Sequence, residues 1–325
     1  MESKNILKLE DLIKLADEKY LEIIDNGQIT DLLKAIGRFS DQTISNDVLI
    51  LAQNPNATCV KRMKEWNYYS RSVIKNEKSI KIISHRLDKV NNSYEDEKGN
   101  VYSDDVEKLR PDIGYLFDIS QTEGKEYPYL NTNKENIARF FESAKSALER
   151  TAKGYEFKYV DQEPYAKMDK ENKIIYIRDG LSIDELLNTL VNQTTRVLLD
   201  SRKPEGLTSE DKPNIDEIEY NYALYSIKSK LGLNLPDFDY DQIKDYTKAQ
   251  KIDFSQNLQK VRSVTKQLLS NFDRSIEIAV RDLEKKIAEQ EAPAEVETKQ
   301  EEVAPVKTTA TKRKTKAKQA ESEVQ

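Results

Sequence analysis

The sequence predicts an α+β protein: helices first, then a small antiparallel sheet, then a second helix-and-strand unit ending in a long helix and a polar tail. Three observations carry this. Apolar residues recur at helical spacing over 6–24, 28–38 and 43–53. Alternation of β-branched residues replaces that period at Ser79–Ser84 and Gly114–Ile119. A strand at Lys173–Ile177, the turn Asp179-Gly180 and an apolar-faced helix at Ser182–Asp200 then follow one another directly.

The first helix carries Leu7, Leu9, Leu12, Ile13, Ala16, Tyr20, Ile23 and Ile24 and stops at Asp25-Asn26-Gly27. The helix beginning near Thr43 ends at Asn54-Pro55, because the residue before a proline is driven out of the helical region. Ala57–Val60 is extended, and a helical turn over Lys61–Tyr68 surrounds Trp66, the single tryptophan. Residues 88–110, rich in Asn, Asp, Glu and Lys, read as a long hairpin insertion exposed to water. A helix is expected over 133–151, a strand over 154–160, and a hairpin over 165–178. The helix at Ser182 opens with a capping box, Ser182 and Glu185, and carries Ile183, Leu186, Leu187, Leu190, Val191, Thr194, Val197 and Leu198 on one face. A polar loop at 207–214 precedes a helix from Ile215 to Leu231, which Gly232 caps. A short helix over Tyr240–Lys248 and a long one over 254–289 complete the folded part.

Composition bounds the function. A chain of 325 residues, 37% hydrophobic and 34% charged, has material for more than one core. The net charge of −6 argues against a uniformly basic nucleic-acid coat but leaves room for a local basic face. Cys59 is the single cysteine, so an intrachain disulfide framework is excluded. No apolar run approaches the ~18 residues of a membrane span, and the first residues, with Glu2, Glu10 and Asp11, have no signal-peptide pattern. A cytoplasmic protein without a membrane partner is expected.

Lys61, Arg62, Lys64, Trp66, Tyr68, Tyr69, Arg71, Lys75, Lys78, Lys81 and Arg86 fall close together in the sequence. Positive charge for phosphates, with rings that stack on unpaired bases, is what single-stranded nucleic-acid binding requires. The alternative reading places Trp66 in a core and the lysines on a solvated surface. His85, the single histidine, reads as a polar residue past a strand and cannot alone build a histidine metal site.

From Phe39 to Gly124 the chain carries an ordered set of anchors: Phe39, Asn46, Leu49-Ile50, Gln53, Asn54-Pro55, Ala57-Thr58, Val60, Trp66, Arg71, Val73, Lys75, Glu77-Lys78, Ile80-Lys81-Ile82 and Phe117–Gly124. This set resembles the N-terminal domain of ArdC-type antirestriction proteins of conjugative elements and phages. The resemblance implies a single-stranded DNA-binding domain whose helices pack on a curled sheet. The family often writes glycines where this chain has Ser70, Asn76 and Ser79. Asn76 accepts a left-handed turn conformation, whereas Ser70 and Ser79 are less suited to one, so a reshaped hairpin is expected.

From about residue 130 the chain is similar to the metallopeptidase-like, zincin-type second domain of the same family, whose corresponding helix bears a His-Glu-x-x-His pentad. Here the pentad is Asn192-Gln193-Thr194-Thr195-Arg196. The resemblance sets Asn192 and Arg196 at the two histidine positions and Gln193 at the glutamate, while Glu219 falls in the region of the third ligand. Asparagine is a poor zinc ligand, glutamine cannot take a proton from bound water, and arginine brings a permanent charge. No metal, no cofactor and no peptidase chemistry are therefore expected. Arg196 is expected either to form an ion pair with Glu219 or to reach solvent.

From Gln290 the composition turns to Ala, Pro, Glu, Val, Thr and Lys without an apolar period, acidic first and basic over Lys307–Lys318, and disorder is expected. The expected division is 1–130, single-stranded DNA-binding; 131–289, a degenerate metallopeptidase-like unit; and 290–325, a tail. The leading expectation is a noncatalytic single-stranded DNA-binding protein of a mobile element or phage, serving antirestriction or protection of transferred DNA. The alternative is a protein-interaction module acting on a host defence or element-encoded protein. An enzyme with an unrecognised site ranks last.

Overall fold

A computed structural model describes residues 8–95, 101–127, 134–202, 213–240 and 254–291. Residues 207–212 of the expected loop, all but the first residue of the helix expected over Tyr240–Lys248, the boundary at 130, and the tail from 292 with its basic end Lys307–Lys318 lie outside them, and Pro213 and Asn214 are helical rather than loop. The chain divides into two compact units, one ending at Leu283 and the other running from Glu284 onward.

The first unit is α+β. Helices α1 (Leu9–Asp25), α2 (Ile29–Arg38) and α3 (Ile44–Gln53) lead into β1 (Val60–Lys61), α4 (Met63–Tyr68) and β2 (Arg71–Val73). Two long strands, β3 (Ile80–Glu95) and β4 (Val101–Asp118), and a short β5 (Thr122–Gly124) follow. The remainder is α5 (Lys134–Arg139), α6 (Phe141–Thr151), β6 (Glu156–Val160), β7 (Ala166–Asp169), β8 (Ile174–Arg178), α7 (Ile183–Asp200), α8 (Pro213–Leu231) and α9, which begins at Ser255 and runs through the end of the unit (Ser255–Glu291).

The sheets are small. β1, β4 and β3 lie in that order, β2 pairs with β5, and β8 sits between β6, parallel to it, and β7, antiparallel to it. β3 and β4 stay in register from Ile80 opposite Leu116 to Glu95 opposite Val101. The polar stretch expected as an exposed hairpin insertion is a hairpin, with β3 and β4 as its two arms. Opposite charges face each other along it, Asp88 with Lys108 and Lys89 with Glu107, and such cross-strand pairs hold a ladder without a hydrophobic core.

Capping follows the sequence closely. In α7 the Glu185 amide donates to Ser182 Oγ at 3.3 Å, and the Ser182 amide donates to the Glu185 carboxylate at 2.9 Å. Gly232 ends α8 at φ +67°, and the Leu233 amide returns to the Lys228 carbonyl at 3.0 Å. One expected helix is broken: 133–151 divides at Phe140, which leaves the helical region at φ −110°, ψ 31°. Phe140 and Phe141 both pack against the main core, and consecutive positions on an unbroken helix point about 100° apart.

That core is shared between the ends of the chain. Ile29, Leu32, Leu33 and Ile36 of α2 pack with Leu187, Leu190 and Val191 of α7, Tyr222, Ala223 and Ile227 of α8, and Leu258, Val261 and Leu268 of α9. α2 and α8 approach so closely that a Cβ on Gly37 would lie 2.0 Å from the Ser226 carbonyl oxygen; only glycine fits. Across the same seam the fully buried Asp47 of α3 pairs with Arg262 of α9, which also donates to the carbonyls of Phe39 and Gln42. Burial works against the Arg262 charge, and the Asp41 carboxylate works for it.

Candidate nucleic-acid interface

The surface around α4 is built outward from Trp66. The Arg62 amide donates to Glu65 at 2.7 Å and starts the helix. One turn later Trp66 is fully buried and its indole N–H donates to the Phe117 carbonyl at 2.9 Å. Its ring meets Tyr127 edge-on at 5.4 Å, Tyr127 meets Tyr69 at 4.9 Å, and Tyr69 meets Tyr68 at 5.2 Å. The series runs from inside to outside and ends on Tyr68, which is 77% exposed. Lys61 Nζ lies 5.4 Å from the Tyr69 ring centre and 5.6 Å from that of Tyr127. Trp66, a stacking candidate in the sequence, is instead the anchor: with no accessible face it cannot meet a base in this conformation. Tyr127, which is not among the residues expected from sequence, joins the buried ring to the exposed ones.

The cations separate in the same way. Arg71 uses its guanidinium internally, on Thr122 Oγ1 at 2.9 Å, the Thr122 carbonyl at 2.8 Å and the Lys125 carbonyl, so it closes the β2–β5 pair. Arg86 stands up the ribbon, 3.0 Å from Asp88 and 3.7 Å from Asp112. Lys81 is half-buried, and its backbone amide donates to Gln53. Arg62 is exposed and reaches Ser84 Oγ at 3.0 Å. Lys64, Lys75 and Lys78 are exposed. The turn residues adopt left-handed conformations at Ser70 (φ 57°) and Asn76 (φ 73°); Ser70 therefore takes up the conformation for which its side chain is poorly suited. Tyr68 with Arg62, Lys64, Lys75 and Lys78 is the outward part of the set.

Below this surface a pocket of about 120 Å³ is lined by Cys59, Lys61, Tyr127, Lys230 and Asp273, among others. Burial pushes the Cys59 thiol up, which leaves it a poor nucleophile. Burial also pushes the Asp273 carboxyl up to about 6, against the pull of Lys230 and Lys61 and with the push of Asp41 and Glu277.

The pentad on α7 is filled by the protein itself. Thr194 and Thr195 are fully buried, and Thr194 Oγ1 donates to the Leu148 carbonyl of α6 at 3.2 Å. The Tyr220 hydroxyl donates to the Asn192 carbonyl at 3.4 Å. The Arg196 guanidinium lies 3.9 Å from the centre of the Tyr220 ring. Glu219, 3% exposed, accepts from Asn257 at 2.7 Å and from the Lys260 ammonium. Of the two expectations for Arg196, the ion pair with Glu219 is not formed, because Lys260 of α9 takes the carboxylate; Arg196 is exposed, as the other had it, and lies over an aromatic face one residue along α8. Among the described residues no group of three or more His, Cys, Asp or Glu is placed to hold a metal ion. Asn192, Gln193 and Arg196 do not form a donor set for zinc.

Among the described residues no helix is long and apolar enough to cross a membrane. No protein-family model matches the chain, and no curated protein does. Among solved structures it is similar to the antirestriction ArdC protein from the R388 plasmid. Against the metal-free crystal structure the TM-score is 0.41 with 16% identity, covering 81% of this chain and 98% of that one. Against the Mn(II)-bound structure the TM-score is 0.40 with 16% identity, covering 79% of this chain and 98% of that one.

Proposed function

We propose that this chain is a noncatalytic, cytoplasmic single-stranded DNA-binding protein of a mobile element or phage. Its binding surface is the outward face of α4 with the turn after β2, in a unit spanning about 1–130. The observation that carries the reading is the ring series: a buried tryptophan fixes a helix whose last tyrosine stands open to solvent beside exposed cations. A rigidly held, exposed ring is a platform on which any base can stack. Arg62, Lys64, Lys75 and Lys78 would supply the salt-dependent attraction to phosphate. The ordered anchors between Phe39 and Gly124 that resemble ArdC-type proteins support the same reading. From that resemblance the biological task is antirestriction or the protection of transferred DNA.

The test uses the full chain, because the apolar face of α2 packs on α8 and a cut near 130 would bare it. Fluorescence anisotropy of a short labelled single strand, titrated at several salt concentrations, reads both affinity and salt slope. Tyr68→Ala is expected to weaken binding by ~1–3 kcal/mol, the range for one stacked base, without moving the denaturation midpoint. Lys64→Glu with Lys78→Glu is expected to reduce the salt slope by ~1–2. Unchanged binding in both variants overturns the site. Loss of all binding on truncation after Glu291 moves the activity to the basic end at Lys307–Lys318.

A further inference from the structure

Near its base the outer edge of β3 is closed by side chains of α3. Gln53 bonds both backbone groups of Lys81, at 2.7 and 2.9 Å, and Asn46 bonds both backbone groups of Ile83, each at 2.9 Å. Two amides thus stand in for a neighbouring strand. They also identify which residues of β3 turn their backbone groups outward: Lys81 and Ile83, and, by the two-residue period of a strand, His85, Leu87, Lys89 and Asn91. On β4 the residue opposite His85 is Pro111, which has no N–H to offer, so that edge is blunted. The β3 edge beyond Ile83 carries no such device, and among the described residues no further strand pairs with it. Edges of this kind recruit another strand.

The side chains say which strand. Leu87 and Leu109 lie opposite each other on one face and are 62% and 68% exposed. Arg86 and Asp88 lie on the other face, with Arg110 3.5 Å from Asp88. We propose that the β3 edge pairs antiparallel with the same edge of a second copy of this chain, with Leu87 opposite its counterpart. The register follows from charge. A two-fold axis at Arg86, Asp88 or Lys89 sets like charges directly opposite, which is destabilising. An axis at His85 brings Leu87 opposite Ile83, where α3 already occupies the edge. Among axes from His85 to Lys89, the one at Leu87 keeps like charges apart and leaves the paired segment 85–89 of both copies clear of Ile83: each Arg86 faces the copy's Asp88, and the leucines of both ribbons form one apolar row across four strands. About six backbone hydrogen bonds would join the copies between His85 and Lys89.

Sedimentation velocity of the full chain over a range of protein concentrations tests this. The wild type is expected to dimerise reversibly. Leu87→Pro removes an outward N–H and is expected to give a monomer. Asp88→Arg, which sets arginine against Arg86 twice, is expected to raise the dimer dissociation constant on the order of tenfold or more. Combining Asp88→Arg with Arg86→Asp restores the opposite pairing and is expected to restore the dimer; that reversal would not follow from damage to the ribbon. A wild type that stays monomeric throughout, or a dimer indifferent to both Leu87→Pro and Asp88→Arg, overturns the proposal.

Discussion

α4 and α7 each present polar side chains that have the chemistry for a site, and the fold treats the two helices differently. On α7 the partners come from within: Leu148 for Thr194, the Tyr220 ring for Arg196, and for the neighbouring Glu219 a lysine and an asparagine of α9. On α4 the one fully buried residue is Trp66, while Lys64 and Tyr68 face water. The difference lies in what covers each helix. α7 is wedged among α6, α8 and β7, so its polar groups turn inward: several find partners there, while Asn188 Oδ1, Asn192 Oδ1 and Thr195 Oγ1 are buried without a hydrogen bond. α4 rests on β4 and β2 with one face alone. Polar groups inside this fold should therefore govern stability without touching DNA, and those on α4 should do the reverse.

The sharpest way to break that division is Asp47→Ala. It leaves Arg262 8% exposed with two backbone carbonyls and, for counter-charge, only the more distant pull of Asp41. Removing one member of a buried pair is expected to cost ~3–5 kcal/mol. Urea denaturation would read it, while binding to the labelled single strand, measured well below the midpoint, should stay within twofold. A loss under ~1 kcal/mol would mean that water reaches the seam and that the inner class is not truly inner.

A smaller effect of opposite sign is expected at Asp273. Its carboxyl is raised by burial to about 6, whereas the unfolded chain titrates near 3.9. Between those values the folded protein holds a proton that the unfolded chain has released. Stability from this group is therefore complete below about 4 and is lost as pH rises through 6. Asp273→Asn keeps the neutral form at every pH. It should stabilise the protein by about 3 kcal/mol at pH 7.5 and by only about 0.5 kcal/mol at pH 4. Thermal denaturation of both proteins across that range checks it; an equal gain at both ends would point to hydrogen bonding rather than charge.

Local chemistry was legible in the sequence wherever one segment decides the outcome. The capping box at Ser182 and Glu185, the stop at Gly232, and the apolar faces of α1, α2, α7 and α9 are all set by nearby residues. The stretch 88–110 was legible as an exposed hairpin insertion, but its pairing was not: that Asp88 faces Lys108 and Lys89 faces Glu107 appears only with the register. The seam was equally hidden. Nothing near Gly37 announces Ser226, and nothing near Asp47 announces Arg262, because those partners are supplied from the other end of the chain. The same holds for the candidate site. Charge and aromatic content located it, but only packing could separate Trp66 and Arg71, which are used internally, from Tyr68 and Lys64, which are not.

The smallest expected effect tests the same division at its margin. Arg196 is an exposed residue that nonetheless has a partner, the Tyr220 ring at 3.9 Å. Burial raises the Tyr220 hydroxyl above its usual range, and Arg196 pulls it back down. Arg196→Met keeps the helix and most of the contact area but removes the charge. Stability should fall by only ~0.5–1 kcal/mol, the value of an exposed cation over a ring. The Tyr220 pKa should rise further, which an absorbance titration against Tyr220→Phe would isolate. If neither quantity moves, the guanidinium is not committed to the ring. α7 would then present a cation available to a ligand, as α4 does, and the contrast between the two helices would fail at that residue.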